Sequence, residues 1–460
     1  MKILVWQWGR RGAGPRFGAC LAAALRGRPG IEVALSLCRD AEIMRAPDPP
    51  VCEMPVRTYR SLRGFLLRIV TAPLALVPLI AQVRRIRPDL AICAMPGPLD
   101  TLMAAALLLV GVRIIVVVHE AEAHPGDGFP GQMLLQRLLC RMAHGVAFLS
   151  THVGAQLAQQ GFRRLIRFEH PPFDFGVPRV ERAEAKHAGL CNRLPHSDRP
   201  GCSDNGALST TNHAASQIMS IPNGTSGAGD ASCGCAGLRA LRGERSFVPA
   251  YTGRDCADDD FSALPAAGHR PPRLLCFGRL LPYKGLDLLA DALGQVSGID
   301  VRIAGCGPES EALAALRATA GVTVENRWVA EDEIGGLLTW CDAVVLPYRE
   351  ASQSGVAAAA VAAGRSVIAT AVGGLREQLS GVPNAILCEP DAARLAAALR
   401  LWIDTPPVIL PAADTAAAWR VAVSGLLSAI HSTLPAASAI SAASAMDRPT
   451  RQSPPSPLVR

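Results

Sequence analysis

The feature that most constrains this chain is a recurring apolar run, four or five residues long, that does not alternate with polar residues. Residues 3–6, 33–37, 90–93, 114–118 and 146–149 are all of this kind. A strand with water on one face alternates, whereas a strand covered on both faces does not. The runs therefore predict parallel strands wrapped by helices on either side. The runs at 90–93 and 114–118 bracket a helical stretch, 99–109, which makes a strand–helix–strand unit with a right-handed crossover.

From about residue 176 to 270 the pattern stops. Gly, Ser, Ala, Asn, Pro and Arg dominate there with no apolar period, so a disordered insert is expected. The pattern resumes with strands at 273–277, 301–304, 322–324, 343–347 and 366–370 and helices at 286–296 and 309–318. The expected architecture is two doubly wound α/β domains, 1–175 and 271–410, joined by the insert 176–270. A helix within 411–432 and a disordered tail, 433–460, complete it.

Bulk properties agree, since 460 residues exceed one ordinary core, and 49% hydrophobic against 18% charged residues suits a globular chain. The fourteen cysteines are scattered mostly singly behind no secretory signal, which points to reduced thiols in a cytoplasm rather than a disulfide scaffold. The close pair Cys233 and Cys235 has no second pair at zinc spacing. Two apolar stretches, 65–83 and 102–118, raise the question of a membrane span. Arg68, Thr71, Pro73 and Pro78 interrupt the first, while Gly111 and Arg113 divide the second into a helix and a strand.

Four segments carry chemistry. The loop from Gly9 to Phe17 follows the first strand and opens a helix, so its backbone N–H groups can face an anion. Gly12 and Gly14 fit the first two glycines of a dinucleotide fingerprint, but the third falls on Phe17, which removes most support for a hydride-transfer enzyme. His119 stands at the carboxyl end of the strand 114–118, where open α/β sheets place ligand chemistry, and fits a hydrogen-bond donor or general acid/base in a cleft. A zinc protease box would need a histidine four positions on, where Ala123 stands, so no metal site is expected.

Phe277-Gly278-Arg279 followed by Lys284-Gly285 ends one strand in glycine and places two cations before a helix. A planar guanidinium, a point charge and a helix start together fit a diphosphate. The segment from Glu350 to Val356 follows another strand and opens a helix of small residues. There Glu350 is a candidate acceptor for sugar hydroxyls, and Ser354, Gly355 and Val356 are candidates for cradling phosphate.

These residues, together with Ala304-Gly305-Cys306-Gly307-Pro308 and Gly364 to Thr370, resemble glycosyltransferase family 4 in order and spacing over most of 274–377. The resemblance implies a GT-B fold, in which two Rossmann-like domains face each other across a cleft. It also implies a retaining, metal-independent hexosyltransferase that needs no cofactor beyond its UDP- or GDP-sugar donor. Arg279 and Lys284 would hold the diphosphate, Glu350–Val356 the sugar and phosphate, and His119 would sit by the reacting sugar. Many members carry a second glutamate that binds the ribose. Here that position falls on Ala358 or Ala359, which resembles a branch lacking the pair.

For the acceptor the sequence offers a cluster of Arg57, Arg60, Arg63, Arg68, Arg84, Arg85 and Arg87 about an apolar stretch, with only Glu53 and Asp89 nearby. This suits an anionic membrane that presents a lipid-linked or polysaccharide acceptor at its inner face. Aromatics are only 5% of the chain, and nucleic acid is not an expected partner. The alternative is a catalytically silent homologue that binds a nucleotide sugar or a partner enzyme.

Overall fold

The computed structural model describes residues 1–59, 61–126, 128, 131–177, 270–405 and 412–434. The expected insert, except residues 176, 177 and 270, lies outside the described residues, as do Arg60, Cys233, Cys235 and the expected tail beyond residue 434.

Each unbroken apolar run is a buried strand. The first sheet contains β1 (Lys2–Gln7), β2 (Glu32–Leu37), β3 (Leu90–Cys93), β4 (Arg113–Val118), β5 (Gly145–Phe148) and β6 (Leu165–Arg167). Every pairing is parallel and the order is β2-β1-β3-β4-β5-β6, with Val5 opposite Leu35 on one side and Ile92 on the other. Against one face lies α1 (Ala13–Arg26), whose Phe17, Leu21 and Leu25 pack on Val5, Ile92 and Ile115. The other face carries α2 (Leu62–Val70), α3 (Ala72–Ile86), α4 (Asp100–Val110), α5 (Gln132–Met142) and α6 (Thr151–Gln159). There Leu79, Val83, Met103, Leu107 and Leu139 cover Leu4, Trp6, Ile114 and Val116.

The second sheet contains β7 (Arg273–Phe277), β8 (Asp300–Gly305), β9 (Val322–Asn326), β10 (Ala343–Leu346), β11 (Ser366–Thr370) and β12 (Ala385–Cys388). It too is wholly parallel, in the order β12-β11-β10-β7-β8-β9. Its helices are α7 (Leu286–Leu293), α8 (Glu311–Ala318), α9 (Glu331–Trp340), α10 (Gly355–Ala362), α11 (Gly373–Leu379) and α12 (Ala392–Ile403). The strand order reverses direction between β1 and β3 in the first sheet and between β7 and β10 in the second. Those are the switch points at which α/β sheets open a crevice.

The apolar stretch 65–83 falls into α2 and α3, which break at Thr71, and 102–118 is the rest of α4 followed by β4. Among the described residues no helix is long and apolar enough to cross a membrane. The last helix, α13 (Thr415–Thr433), returns to the first domain. Its Trp419, Val423, Leu426 and Ile430 join the cluster around Phe17, and the Trp419 indole N–H donates to the Pro172 carbonyl at 3.0 Å.

Candidate active site

The loops after β1, β3 and β4 face those after β7, β8, β9 and β10 across a cleft of about 530 Å³. On the first domain's wall, Gly12 takes φ +81° as it caps α1, a conformation natural to glycine. A side chain at Gly14 would press on the Gln7 amide 2.6 Å away. Both glycines line the cleft, and Ala13 between them lies opposite Gly355 of α10, whose ideal Cβ position is 3.5 Å from the Ala13 Cβ.

The second domain's wall depends on close approach of backbone to backbone. A Cβ at Gly305 would lie 1.7 Å from the Gly278 carbonyl oxygen, and one at Gly285 1.8 Å from that of Pro347, so the loops after β7, β8 and β10 nest only because glycine stands at these places. The nesting brings the two cations to the cleft. Arg279 is exposed, with Nη2 3.3 Å from the Tyr283 hydroxyl. The Lys284 ammonium lies 3.7 Å from the centre of the Tyr348 ring, which gives an otherwise sequestered charge some compensation. Burial, followed by the neighbouring Arg279 guanidinium, lowers the Lys284 pKa below the usual lysine value.

At the start of α10 the Ser354 hydroxyl accepts from the Ala357 N–H, and the Ser354 N–H donates to the Gln378 side chain. Among the described residues no acceptor meets the N–H groups of Gly355 and Val356, and both residues line the cleft. Of the two alanines considered for the missing ribose glutamate, Ala359 lines the cleft, while Ala358 packs in the cluster around Phe17.

His119 is buried, with its ring edge-on to Phe17 at 4.6 Å. Its Nε2 lies 2.9 Å from the Ala94 carbonyl, which can only accept, so Nε2 carries the proton. Burial, and then the neighbouring His170, push its pKa down to about 3, so the ring is neutral and Nδ1 is bare. Nδ1 accepts from the Gln353 amide at 3.3 Å. Both ring nitrogens are thereby engaged. In this arrangement His119 supports Gln353, and it lies among the residues that line the cleft. Gln353 Oε1, buried in the cleft lining, has no hydrogen-bond partner.

Glu350 is not brought to the cleft wall. Its exposed carboxylate lies outside the lining residues and pairs with Nδ1 of His124 at 3.3 Å. His124 does line the cleft, stacked on Tyr283 at 4.7 Å.

Several lining residues were not singled out in the sequence. Trp328, just past the carboxyl end of β9, lies beneath the Arg11 guanidinium at 5.2 Å and donates to Glu42 at 3.3 Å. Glu331 pairs with Arg16, which also lies 4.3 Å from the centre of the Phe175 ring. Glu42 in turn accepts from the Glu331 N–H at 2.9 Å. The rule that ligands gather at the carboxyl ends of strands could have drawn attention to Trp328. The Arg16–Glu331 and Glu42 contacts join segments 286 to 315 residues apart, and no local signal marks them. Among the described residues no group of three or more His, Cys, Asp or Glu could hold a metal ion.

Two family models match this chain: "Glycosyl transferase 4-like domain" over residues 12–168 and "Glycosyl transferases group 1" over residues 271–405. Together they cover well over half of it, and the chain belongs to the group 1 glycosyltransferases of GT-B fold. A segment of 118 residues is 30% identical to the GDP-mannose:glycolipid 4-beta-D-mannosyltransferase of Xanthomonas campestris pv. campestris, covering 24% of this chain and about a third (34%) of that relative. Among solved structures, Anabaena HepE in complex with UDP-glucose is 16% identical with a TM-score of 0.55, over 96% of this chain and 100% of that one. The sucrose-phosphate synthase of Thermosynechococcus elongatus is 15% identical with a TM-score of 0.53, over 92% and 94%. At these identities the likeness establishes the fold.

Proposed function

We propose that this protein transfers a hexose from a UDP- or GDP-sugar to a hydroxyl of a lipid-linked or growing polysaccharide acceptor, working in the cytoplasm at an anionic membrane face. The observation that carries the reading is the convergence on one cleft of Arg279, Lys284 and the open N–H groups of Gly355 and Val356. Two cations and a helix start are what a departing diphosphate requires, because negative charge grows on its bridging oxygen as the sugar leaves. With those groups meeting the charge, the reaction needs neither metal nor cofactor.

In the proposed step the bond from the sugar's anomeric carbon to the diphosphate oxygen breaks, and its electron pair leaves with the nucleotide. The acceptor hydroxyl oxygen bonds to the same carbon on the same face. Its proton passes to the departing diphosphate, so configuration is retained. Gly12 and Gly14 would let the first domain's backbone close on the sugar, and His119 would hold Gln353 against it. Glu350 would act from the rim by orienting His124. The β-linkage in the name of the Xanthomonas relative favours a second stereochemical reading, since a β-mannoside made from an α-linked sugar nucleotide requires inversion. Inversion needs a base opposite the leaving phosphate, and Glu120 is a carboxylate in the cleft lining.

The test is to incubate the purified protein with membrane lipid extract and a panel of UDP- and GDP-sugars and to measure nucleotide release. Release from one donor, abolished by Arg279→Ala, is the expected result, and the anomeric configuration of the product then decides between the two stereochemical readings. Nucleotide binding without release in any combination would instead favour the silent homologue.

A further inference from the structure

We propose that the outer surface of α2 to α5 is a membrane-docking face, and that its apolar ridge enters the boundary between headgroups and acyl chains of an anionic bilayer. Leu66, Leu67, Val70, Leu74 and Val77 are each 54–77% exposed. Their spacing places them along one side of the nearly continuous α2–α3 rod, the side turned away from the buried Leu79 and Val83. The ridge does not stand alone. The helices α3, α4 and α5 pack in succession, and Leu109, Leu134 and Leu138 are exposed on the last two. Nine of the fourteen large apolar side chains exposed among the described residues belong to this one helical layer. An apolar surface that concentrated marks an interaction face rather than ordinary scatter.

Charge identifies the occupant. Residues 54–168 contain thirteen arginines and no lysine against five carboxylates, a net +8, where the whole chain carries +7. The rest of the chain is therefore close to neutral, and the basicity belongs to this domain. One of the five carboxylates, Asp100, is fully buried. Arg63, Arg84 and Arg85 are exposed on the α2–α3 rod, and Arg137 and Arg141 beside Leu134 and Leu138 on α5. Exposed leucine and valine interleaved with arginine, without acidic residues, is the composition of a surface that lies in an anionic interface. A second copy of this chain would bring arginine against arginine there.

The same layer reaches the cleft. Gln132, Met133 and Gln136 of α5 line the cleft, while Leu134 and Leu138 of that helix point outward. A protein lying on this face therefore holds one cleft wall close to the lipid surface, which suits an acceptor anchored in that membrane. This last consequence rests on the transferase reading; the docking itself does not.

The test uses the full chain and sucrose-loaded vesicles without any sugar nucleotide, so its outcome is independent of transfer. Sedimentation is measured with phosphatidylcholine vesicles containing about a third phosphatidylglycerol and with phosphatidylcholine alone. Binding to the anionic vesicles should be at least tenfold tighter and should fall with salt. The variant Leu67→Ser/Val70→Ser/Leu74→Ser should bind at least tenfold more weakly, as should Arg63→Gln/Arg84→Gln/Arg85→Gln. The wild-type thermal unfolding curve should be kept, because none of these side chains is buried. Absence of vesicle binding overturns the proposal, and so does binding that survives the serine substitutions. Wild-type self-association that those substitutions abolish would also overturn it, by showing the face to be a dimer interface.

Discussion

Nδ1 of His119 lies 3.3 Å from the Gln353 amide nitrogen, joining the loop after β4 in one domain to the loop after β10 in the other. Because Nε2 is committed to the Ala94 carbonyl, Gln353 is what satisfies the remaining ring nitrogen. Replacing Gln353 by leucine leaves a buried acceptor without a partner and removes an amide from the cleft. Gln353→Leu should cost about 1–3 kcal/mol of stability in urea unfolding. It should lower transfer roughly 10–100-fold, mainly in kcat, if Gln353 Oε1 meets the sugar only as it reacts. Wild-type stability and wild-type kcat together would show the contact to be incidental.

The two imidazoles behind this contact, His119 buried and His170 half-buried, predict sensitivity to acid. Burial lowers His119 to about 3 and His170 to about 4, so the native state keeps both rings neutral where the unfolded chain protonates them near pH 6.5. Between those values the unfolded state binds more protons. Stability should therefore be fully present above about pH 6.5 and be lost as the pH falls toward 4. The urea midpoint followed from pH 7.5 to 4.5 checks this, and His170→Phe should flatten the acid limb. A midpoint that rises on acidification would contradict the assignment.

Asp100 works in the opposite sense. It is fully buried, its Oδ2 accepts from the Gly97 N–H at 2.6 Å, and burial raises its pKa to about 7. The native state holds this proton where the unfolded chain, near 3.8, has lost it, so Asp100 costs stability progressively as the pH rises from about 4 to 7. Asp100→Asn keeps an oxygen for the Gly97 N–H and removes the charge. It should raise stability at pH 8 by the order of a few kcal/mol and leave the acid limb steeper. An unchanged or lowered midpoint at pH 8 would mean that the carboxylate is compensated when ionised.

The strands were the most legible part of this fold, for a physical reason. Ile114 to Val118 is covered on both faces, and double coverage writes itself into the sequence as an unbroken apolar run. Edge strands leave a weaker mark, and of the four here β2 and β9 were read while β6 and β12 were not. Leu165–Arg167 has three residues, and Ala385–Cys388 is only partly buried, so neither was anticipated. The residues expected to face a diphosphate were legible as a group because glycine and cations recur at strand ends, and Gly12, Gly14, Gly278, Arg279, Lys284, Ser354, Gly355 and Val356 all line one cleft. Glu350 lies outside the cleft lining, beside His124, which was not legible because sequence gives its neighbours but not the direction of its side chain. Nor could the arginine cluster reveal that Val70 and Leu74 face outward, since burial belongs to the packed helix and not to the residue type.

Arg279 and Lys284 offer charge in two forms, and their variants should differ accordingly. Arg279 is exposed, so Arg279→Ala should leave folding nearly unchanged and reduce transfer by about 100-fold or more, the usual scale for losing a preorganised group at a leaving oxygen. Lys284 lies against Tyr348, and Lys284→Met keeps that packing while removing the charge. It should weaken binding of the free nucleoside diphosphate as well as the rate. Calorimetric titration with UDP and GDP beside steady-state assays separates the two. Retention of full activity in both variants would remove the diphosphate from this place.

At the far end of the cleft the two domains are tied by Glu42, which accepts from both the Trp328 indole and the Glu331 N–H, and by the Arg16–Glu331 pair. Both carboxylates and the guanidinium line the cleft, and burial raises the Glu331 pKa despite Arg16 beside it. A half-buried pair that bridges two domains should hold them together without adding much to either core. Arg16→Ala and Glu331→Ala should therefore loosen the domains from one another rather than unfold the chain. Their effects should not add, because removing either partner already breaks the tie. A coupling of about 1–3 kcal/mol is expected in the double-mutant cycle on nucleotide-sugar affinity. The radius of gyration in solution should rise in each single variant and not rise further in the double. Additive effects would place the closure energy elsewhere, in contacts such as Thr151 and Arg167 with Glu377 on the opposite side.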